Sequence, residues 1–206
     1  MTHLRSKRLP GTGRTLAAVL GLVTALALGT AGETHAAAPP EEGAAGNPHL
    51  TDRPHGFASL AGGTTGGAGG RVVTVTDQAA LAKYAAANEP YVIRVAGTIA
   101  VEPFGAEIDV ASDKTIIGIG GTGEIVHGEL HLNPGTHNVI IRNLTIRDSA
   151  VAGNWDCKDT DFDGIQMDTA HHVWVDHNRF SNICDGQLDV RKDSEYVTVS
   201  YNRFEN

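Results

Sequence analysis

Residues 156–189 (DCKDTDFDGIQMDTAHHVWVDHNRFSNICDGQLD) gather the side chains of this sequence that could do chemistry. Asp161 and Asp163 are two apart and Asp185 and Asp189 four apart, so in extended chain each pair points to one side. If the segments between them make one turn of a repeating structure, all four carboxylates reach one patch. Like charges held that close cannot all stay ionised unless something neutralises them. A hard cation that takes six to eight oxygen ligands meets the requirement, and Ca²⁺ fits better than Mg²⁺, which prefers few carboxylates and many waters. Taken singly, each aspartate is equally at home in a turn or as surface solvation, and Asp168 and Asp176 suit turn or ladder roles. His171, His172 and His177 form a second cluster. His171 and His172 are neighbours that should face opposite sides of a strand, so a shared zinc is not expected. Two cysteines, Cys157 and Cys184, are too few for a thiolate cage and leave one disulfide or two thiols open. They lie four residues before Asp161 and immediately before Asp185, so converging aspartate pairs would bring them together as a bridge.

The elements that must position these groups show a repeat. Short β-branched runs recur at 91–99 (YVIRVAGTI), 114–121 (KTIIGIGG), 138–146 (NVIIRNLTI), 172–180 (HVWVDHNRF) and 196–204 (YVTVSYNRF). The last two share V-x-V-x-x-N-R-F, with Val173 and Val197 24 apart; Ile116 and Val139 are 23 apart. Val139 and Val173 are 34 apart, which the same period allows if about ten residues near 148–160 bulge out. Each unit holds only short strands, so the expected fold is all-β: a right-handed parallel β-helix. Asn178 and Asn202 repeat in register as stacked turn residues would. A β-sandwich is the competing arrangement, but hairpin signals such as Asn-Gly are missing between the runs. Ahead of the repeat, residues 71–76 read as a strand, and Asp77 caps a helix over DQAALAKYAAAN with Leu81, Tyr84 and Ala85 on one face, stopped by Pro90. The glycine stretch at 62–70 could be a linker on composition alone.

Arg5, Lys7, Arg8 and Arg14 precede an uncharged apolar run at 15–31, followed by small residues around Ala36. This is the pattern of a secretory signal peptide, residues 1–36, and the mature chain is expected to be secreted and extracellular. Removing it takes away four of the 16 basic and one of the 24 acidic residues, which moves the formal net charge from −8 to −11. Residues 37–55 lack periodicity and read as a flexible leader. So acidic a chain is a poor match for nucleic acid, and acidic glycans would be repelled unless a cation intervened. No later run resembles a membrane span. A monomer is expected.

The segments GFASLAGGTTGGAGGRVVTVT, NVIIRNLTI, FDGIQMD, HVWVDHNRF and DGQLDVRKDSEYVTVSYNRF together resemble the pectate lyase family of bacterial polysaccharide lyases. The resemblance runs over residues 56–206, with W-V-D-H and D-G-x-x-D its specific motifs. It implies that the glycine stretch begins the domain, that the short helix caps the open end of the first coil, and that the activity is Ca²⁺-dependent β-elimination of de-esterified polygalacturonate, a plant cell-wall polysaccharide. Carried over, Asp163, Asp185 and Asp189 match the family's principal calcium ligands and Asp161 an additional one. The family's catalytic arginine and a substrate-binding lysine are expected beyond Asn206, and Arg191, Lys192 and Arg203 do not occupy their positions. The chain therefore reads as an incomplete β-helix, truncated at its C-terminus and lacking its base. A pectin lyase would carry basic residues in place of these aspartates; a calcium-stiffened β-helix that binds uronate polymers without cleaving them is the other alternative.

Overall fold

The computed structural model describes residues 53–154, 157 and 159–205. The expected signal peptide at 1–36 and all of the expected leader up to residue 52 lie outside the described residues. The described residues fall in one compact unit.

The first coil is β1 (Arg71–Val75) followed by α1 (Gln78–Ala85). Four turns of three strands each come next: β2 (Tyr91–Val95), β3 (Thr98–Ala100), β4 (Ala106–Val110); β5 (Lys114–Gly118), β6 (Glu124–Val126), β7 (Gly128–Leu132); β8 (His137–Arg142), β9 (Thr145–Arg147), β10 (Ile165–Asp168); and β11 (His171–Asp176), β12 (Arg179–Ser181), β13 (Leu188–Arg191). A last pair, β14 (Glu195–Ser200) and β15 (Arg203–Glu205), begins another turn. Like strands stack into three parallel sheets, ordered β1-β2-β5-β8-β11-β14, β3-β6-β9-β12-β15 and β4-β7-β10-β13. The fold is the expected parallel β-helix.

Alternation fills its centre. Ile93, Ile116, Ile141, Val173 and Val175 of the first sheet meet Ile108, Leu130, Leu132 and Met167 of the third in one buried cluster. The helix closes the end of this core. Asp77 accepts a hydrogen bond from the Ala80 N–H at 2.9 Å as N-cap, Leu81 and Ala85 are buried, and Tyr84 is half-buried against Tyr91. It ends at Ala85, well before Pro90, because Ala85 has already turned its carbonyl to the Ala111 N–H at 2.9 Å.

The run at 114–121 holds β5 alone, whereas the runs at 91–99, 138–146, 172–180 and 196–204 are each two strands joined at a corner. Asn143, His177 and Tyr201 occupy the left-handed region there, with φ of 53°, 54° and 52°. The residue after each of the last two is an asparagine that bonds along the stack. Asn178 Oδ1 accepts from the Leu144 N–H at 3.1 Å, and Asn202 Oδ1 accepts from the Asn178 N–H at 2.8 Å. Their amides donate to the Ile141 and Val175 carbonyls. Corner backbone with no sheet partner is thereby satisfied. Val173 pairs with Val197 and with Val139, but Ile116 pairs with Ile141 rather than Val139, which corrects that register by two residues.

The glycine stretch is no linker. Residues 55–70 run across the outside of the first sheet as a strap. Thr198 Oγ1 donates to the His55 carbonyl at 2.8 Å, Asn138 Oδ1 accepts from the Thr65 and Gly66 N–H groups at 2.7 and 2.8 Å, and the Gly67 N–H donates to Thr115 Oγ1 at 3.0 Å. Ala58 packs on Ile140 and Trp174 in a small buried cluster of its own.

Candidate metal centre

The outward positions of β4, β7, β10 and β13 are polar and in register. Glu107 stands beside Glu129, Asp109 beside His131, His131 beside Gln166, Gln166 beside Asp189, and Asp168 beside Arg191. The four sequence-predicted aspartates belong to this face. Asp161 and Asp163 end the loop that leads into β10, Asp185 lies in the loop before β13, and Asp189 is on β13. Ligand atoms of Asp161, Asp163 and Asp185 all lie within 4.8 Å of one another. Asp189 stands outside that trio but close by. A Cβ added at Gly186 would sit 2.2 Å from Asp189 Oδ1 and 3.1 Å from Asp163 Oδ1, so the glycine leaves open the space between the two carboxylates.

Asp163 is held firmly: Gln166 Nε2 donates to its Oδ2 at 2.8 Å and the Gly186 N–H to its Oδ1 at 2.7 Å. Burial pushes its carboxyl up, these two hydrogen bonds oppose the shift, and Asp189 and Asp161 add to it. Burial likewise raises Asp189; the Arg191 charge opposes this, and Asp185 and Asp161 reinforce it. Such a site gains from a cation that reverses the repulsion, and exposed Asp161 and Asp185 leave room for further oxygen ligands from water or a bound anion. The donor set, all carboxylate oxygen, fits Ca²⁺.

Glu129 and Gln166, beside the aspartates, went unread in the sequence, and Arg191 was named there only as no match for the catalytic arginine. Glu129 is buried; its Oε2 accepts the Asp163 N–H at 2.7 Å, and its Oε1 has no partner. Burial above all raises its pKa to about 7, with Asp163, Glu107 and Asp161 adding repulsion against the Asp163 hydrogen bond. Gln166 orients Asp163. Arg191 is forked on Asp168 at 3.0 and 3.2 Å, gives 2.7 Å to Gln166 Oε1, and brings Nη1 to 3.9 Å from Asp161 Oδ1. Arg191 and Lys192 hold Asp168 well below the usual carboxylate range. Their signal was the alternation E-L-H-L and Q-M-D, charged or polar out and apolar in, at one-coil spacing.

The native state holds the Glu129 proton more tightly than the unfolded chain, whose value is about 4.5. The stability it contributes is complete below pH 4.5 and is lost as pH rises through about 7. In chelator, urea unfolding at pH 8 against pH 5 is expected to show a loss on the order of 2 kcal/mol from this group, after allowance for solvent screening. Glu129→Gln should flatten the profile; an unchanged slope would refute the assignment.

The remaining candidates fall elsewhere. Asp176 is a buried structural acid, accepting from Arg142 Nε, His177 Nδ1 and Ser200 Oγ. His171 and His172 do not face opposite sides. A left-handed φ of 56° at His172 breaks the alternation, and the two Nδ1 atoms lie 2.8 Å apart. They gather no third metal-ligating side chain among the described residues, where groups of three or more within 4.8 Å are Asp161, Asp163, Asp185 and Glu107, Asp109, His131. Cys157 and Cys184 are joined as a disulfide with Cα atoms 5.3 Å apart, tying the long 148–164 loop to the residue before Asp185. Closing a loop of this size stabilises by roughly 3 kcal/mol in the chain-entropy account.

A pectate lyase family model matches residues 43–206. The pectate trisaccharide-lyase of Thermotoga maritima is 44% identical over 160 residues, covering 75% of this chain and 43% of the relative. Pectate lyase E of Dickeya chrysanthemi is 32% identical over 187 residues, covering 73% and 46%. Among solved structures, a pectate lyase from Bacillus sp. N165 in complex with trigalacturonate superposes with a TM-score of 0.59 at 30% identity, covering 74% of this chain and 53% of that one. The pectate lyase of Acidovorax avenae subsp. citrulli shares the fold with a TM-score of 0.65 at 22% identity, covering 87% and 61%. This chain spans less than half the length of these two curated relatives. With the family model spanning the whole β-helix and its acidic face, the chain belongs to the pectate lyase family.

Proposed function

We propose that this chain supplies the calcium-binding part of a secreted, monomeric pectate lyase that acts on de-esterified polygalacturonate by β-elimination. The observation that carries the reading is the convergence of Asp161, Asp163 and Asp185 within 4.8 Å on an outward sheet face, with Asp189 beside them. The names of the relatives and the trigalacturonate-bound neighbour support the substrate class. Ca²⁺ held there would attract the uronate carboxylate to an otherwise repulsive acidic surface and make the C5 proton more acidic. Asp163, fixed by Gln166 and Gly186, sets the position of the centre, while exposed Asp161 and Asp185 can adjust to the polymer. Arg191, anchored through Asp168, can offer its Nη1 edge to a uronate oxygen.

Elimination also needs an acceptor for the C5 proton, after whose removal the C4–O bond breaks to leave an unsaturated sugar. Among the described residues of this face, Arg191 and Lys192 are ion-paired with Asp168, which raises the Arg191 pKa further, and His131 sits against Glu107. A positioned base typically supplies about 10²–10⁴-fold, so without one this chain should bind but not cleave. Residues 37–206 are therefore expected to be retained on polygalacturonate in calcium, to be released by chelator, and to form no unsaturated product by ultraviolet absorbance. Failure of calcium-dependent retention would overturn the binding reading; turnover by these residues would locate a base within them.

A further inference from the structure

We propose that Glu107, Asp109 and His131 form a second divalent-cation site, separate from the aspartate centre and suited to a borderline metal such as Zn²⁺ rather than to Ca²⁺. Ligand atoms of the three residues lie within 4.8 Å of one another on β4 and β7. The register puts Glu107 beside Glu129 and Asp109 beside His131, two coils before the Asp185 loop. With coils roughly 4.8 Å apart, the two centres are separated by about 10 Å, too far for one ion to serve both.

The placement of His131 points to a ligand in addition to the ion pair. His131 Nδ1 lies 2.9 Å from Glu107 Oε2 and 3.9 Å from Asp109 Oδ1, yet it is cut off from water with no aligned hydrogen-bond partner. An imidazole in an ordinary ion pair would direct its N–H along that short contact. Buried polar atoms are rarely left without partners, and an imidazole nitrogen so placed between two carboxylates is a donor that a cation could use.

The donor set decides the class. One imidazole nitrogen with two carboxylates is the company kept by Zn²⁺ and its first-row neighbours, whereas Ca²⁺ takes oxygen. Asn133 Nδ2 donates to Asp109 Oδ1 at 2.7 Å and so orients that carboxylate, as outer partners of metal ligands commonly do. Glu107 and Asp109 are exposed, which leaves the open side of the site to water or to an anion.

The test is zinc titration calorimetry on the chelator-stripped protein loaded with calcium, for wild type, Glu107→Gln and His131→Gln. Glu107 is exposed, so its replacement leaves the fold intact even if the half-buried histidine does not tolerate change. One zinc per chain is expected in wild type, weakened at least about 10-fold in either variant, and retained in Asp185→Ala, in which calcium uptake falls. Absent zinc uptake, uptake equal in wild type and both variants, or zinc lost together with calcium in Asp185→Ala would each overturn the site.

Discussion

Asp185→Ala is expected to lower calcium affinity by more than about 100-fold while leaving the melting temperature of the chelated protein unchanged or slightly higher. Changes to groups that merely support a metal ligand cost 10–100-fold, so loss of a ligand should exceed that. The choice of residue matters. Asp163 is buried and accepts from Gln166 and Gly186, so its removal would strand two donors and confuse metal loss with unfolding. Asp185 is exposed, and its carboxylate adds to the repulsion on Asp189, so removing it relieves the metal-free protein. Calorimetry on wild type and variant, with thermal melts in chelator as the folding control, separates the two effects. Equal calcium uptake by both proteins would sink the assignment of the aspartate centre.

The coil repeat was legible because corner asparagines and inward valines recur at nearly fixed spacing around Val173 and Val197. Register failed at Ile116 for a physical reason. Val139, Ile140 and Ile141 are all apolar, since Ile140, on the outside, is buried under Ala58 of the strap. A run that is apolar on both faces does not say which residue points inward. The third sheet was unread because its strands carry charged or polar residues at alternate positions, as in AEIDV and GELHL, instead of β-branched runs. Those same outward positions hold Glu107, Asp109, Glu129 and His131, so missing the strands meant missing the residues. Asp161, Asp163 and Asp185 were found because they stand in loops at one-coil spacing, where no strand need be recognised, and Asp189 on β13 followed from its four-residue spacing to Asp185. The histidine pair misled because strand alternation presumes extended backbone, and His172 is left-handed.

The strap explains a glycine stretch that composition alone would assign to flexibility, and Gly67 gives the sharpest test of it. A Cβ at Gly67 would lie 1.9 Å from the Tyr91 carbonyl oxygen, 2.3 Å from its carbon and 2.9 Å from the Val92 nitrogen, all backbone of β2. Strand β2 is fixed between β1 and β5, so it cannot yield as a flexible side chain would. Gly67→Ala should therefore cost about 3 kcal/mol, the upper end of ordinary overpacking, or else expel the strap from the sheet. Expulsion would uncover Trp174 and Ile140 and break the contacts that reach Thr198 on β14, tying distant coils together. Gly69→Ala is the comparison: its Cβ meets nothing within 4 Å, and only the left-handed φ of 82° opposes it, for about 1 kcal/mol. Urea unfolding should rank Gly67→Ala well below Gly69→Ala, and limited proteolysis should cut the Gly67 variant near residues 60–70. Because the strap lies on the first sheet and the aspartates on the third, calcium affinity of the folded Gly67 variant should match wild type. Wild-type stability in Gly67→Ala would mean that the glycine stretch does not lie against β2 as closely as the structure places it.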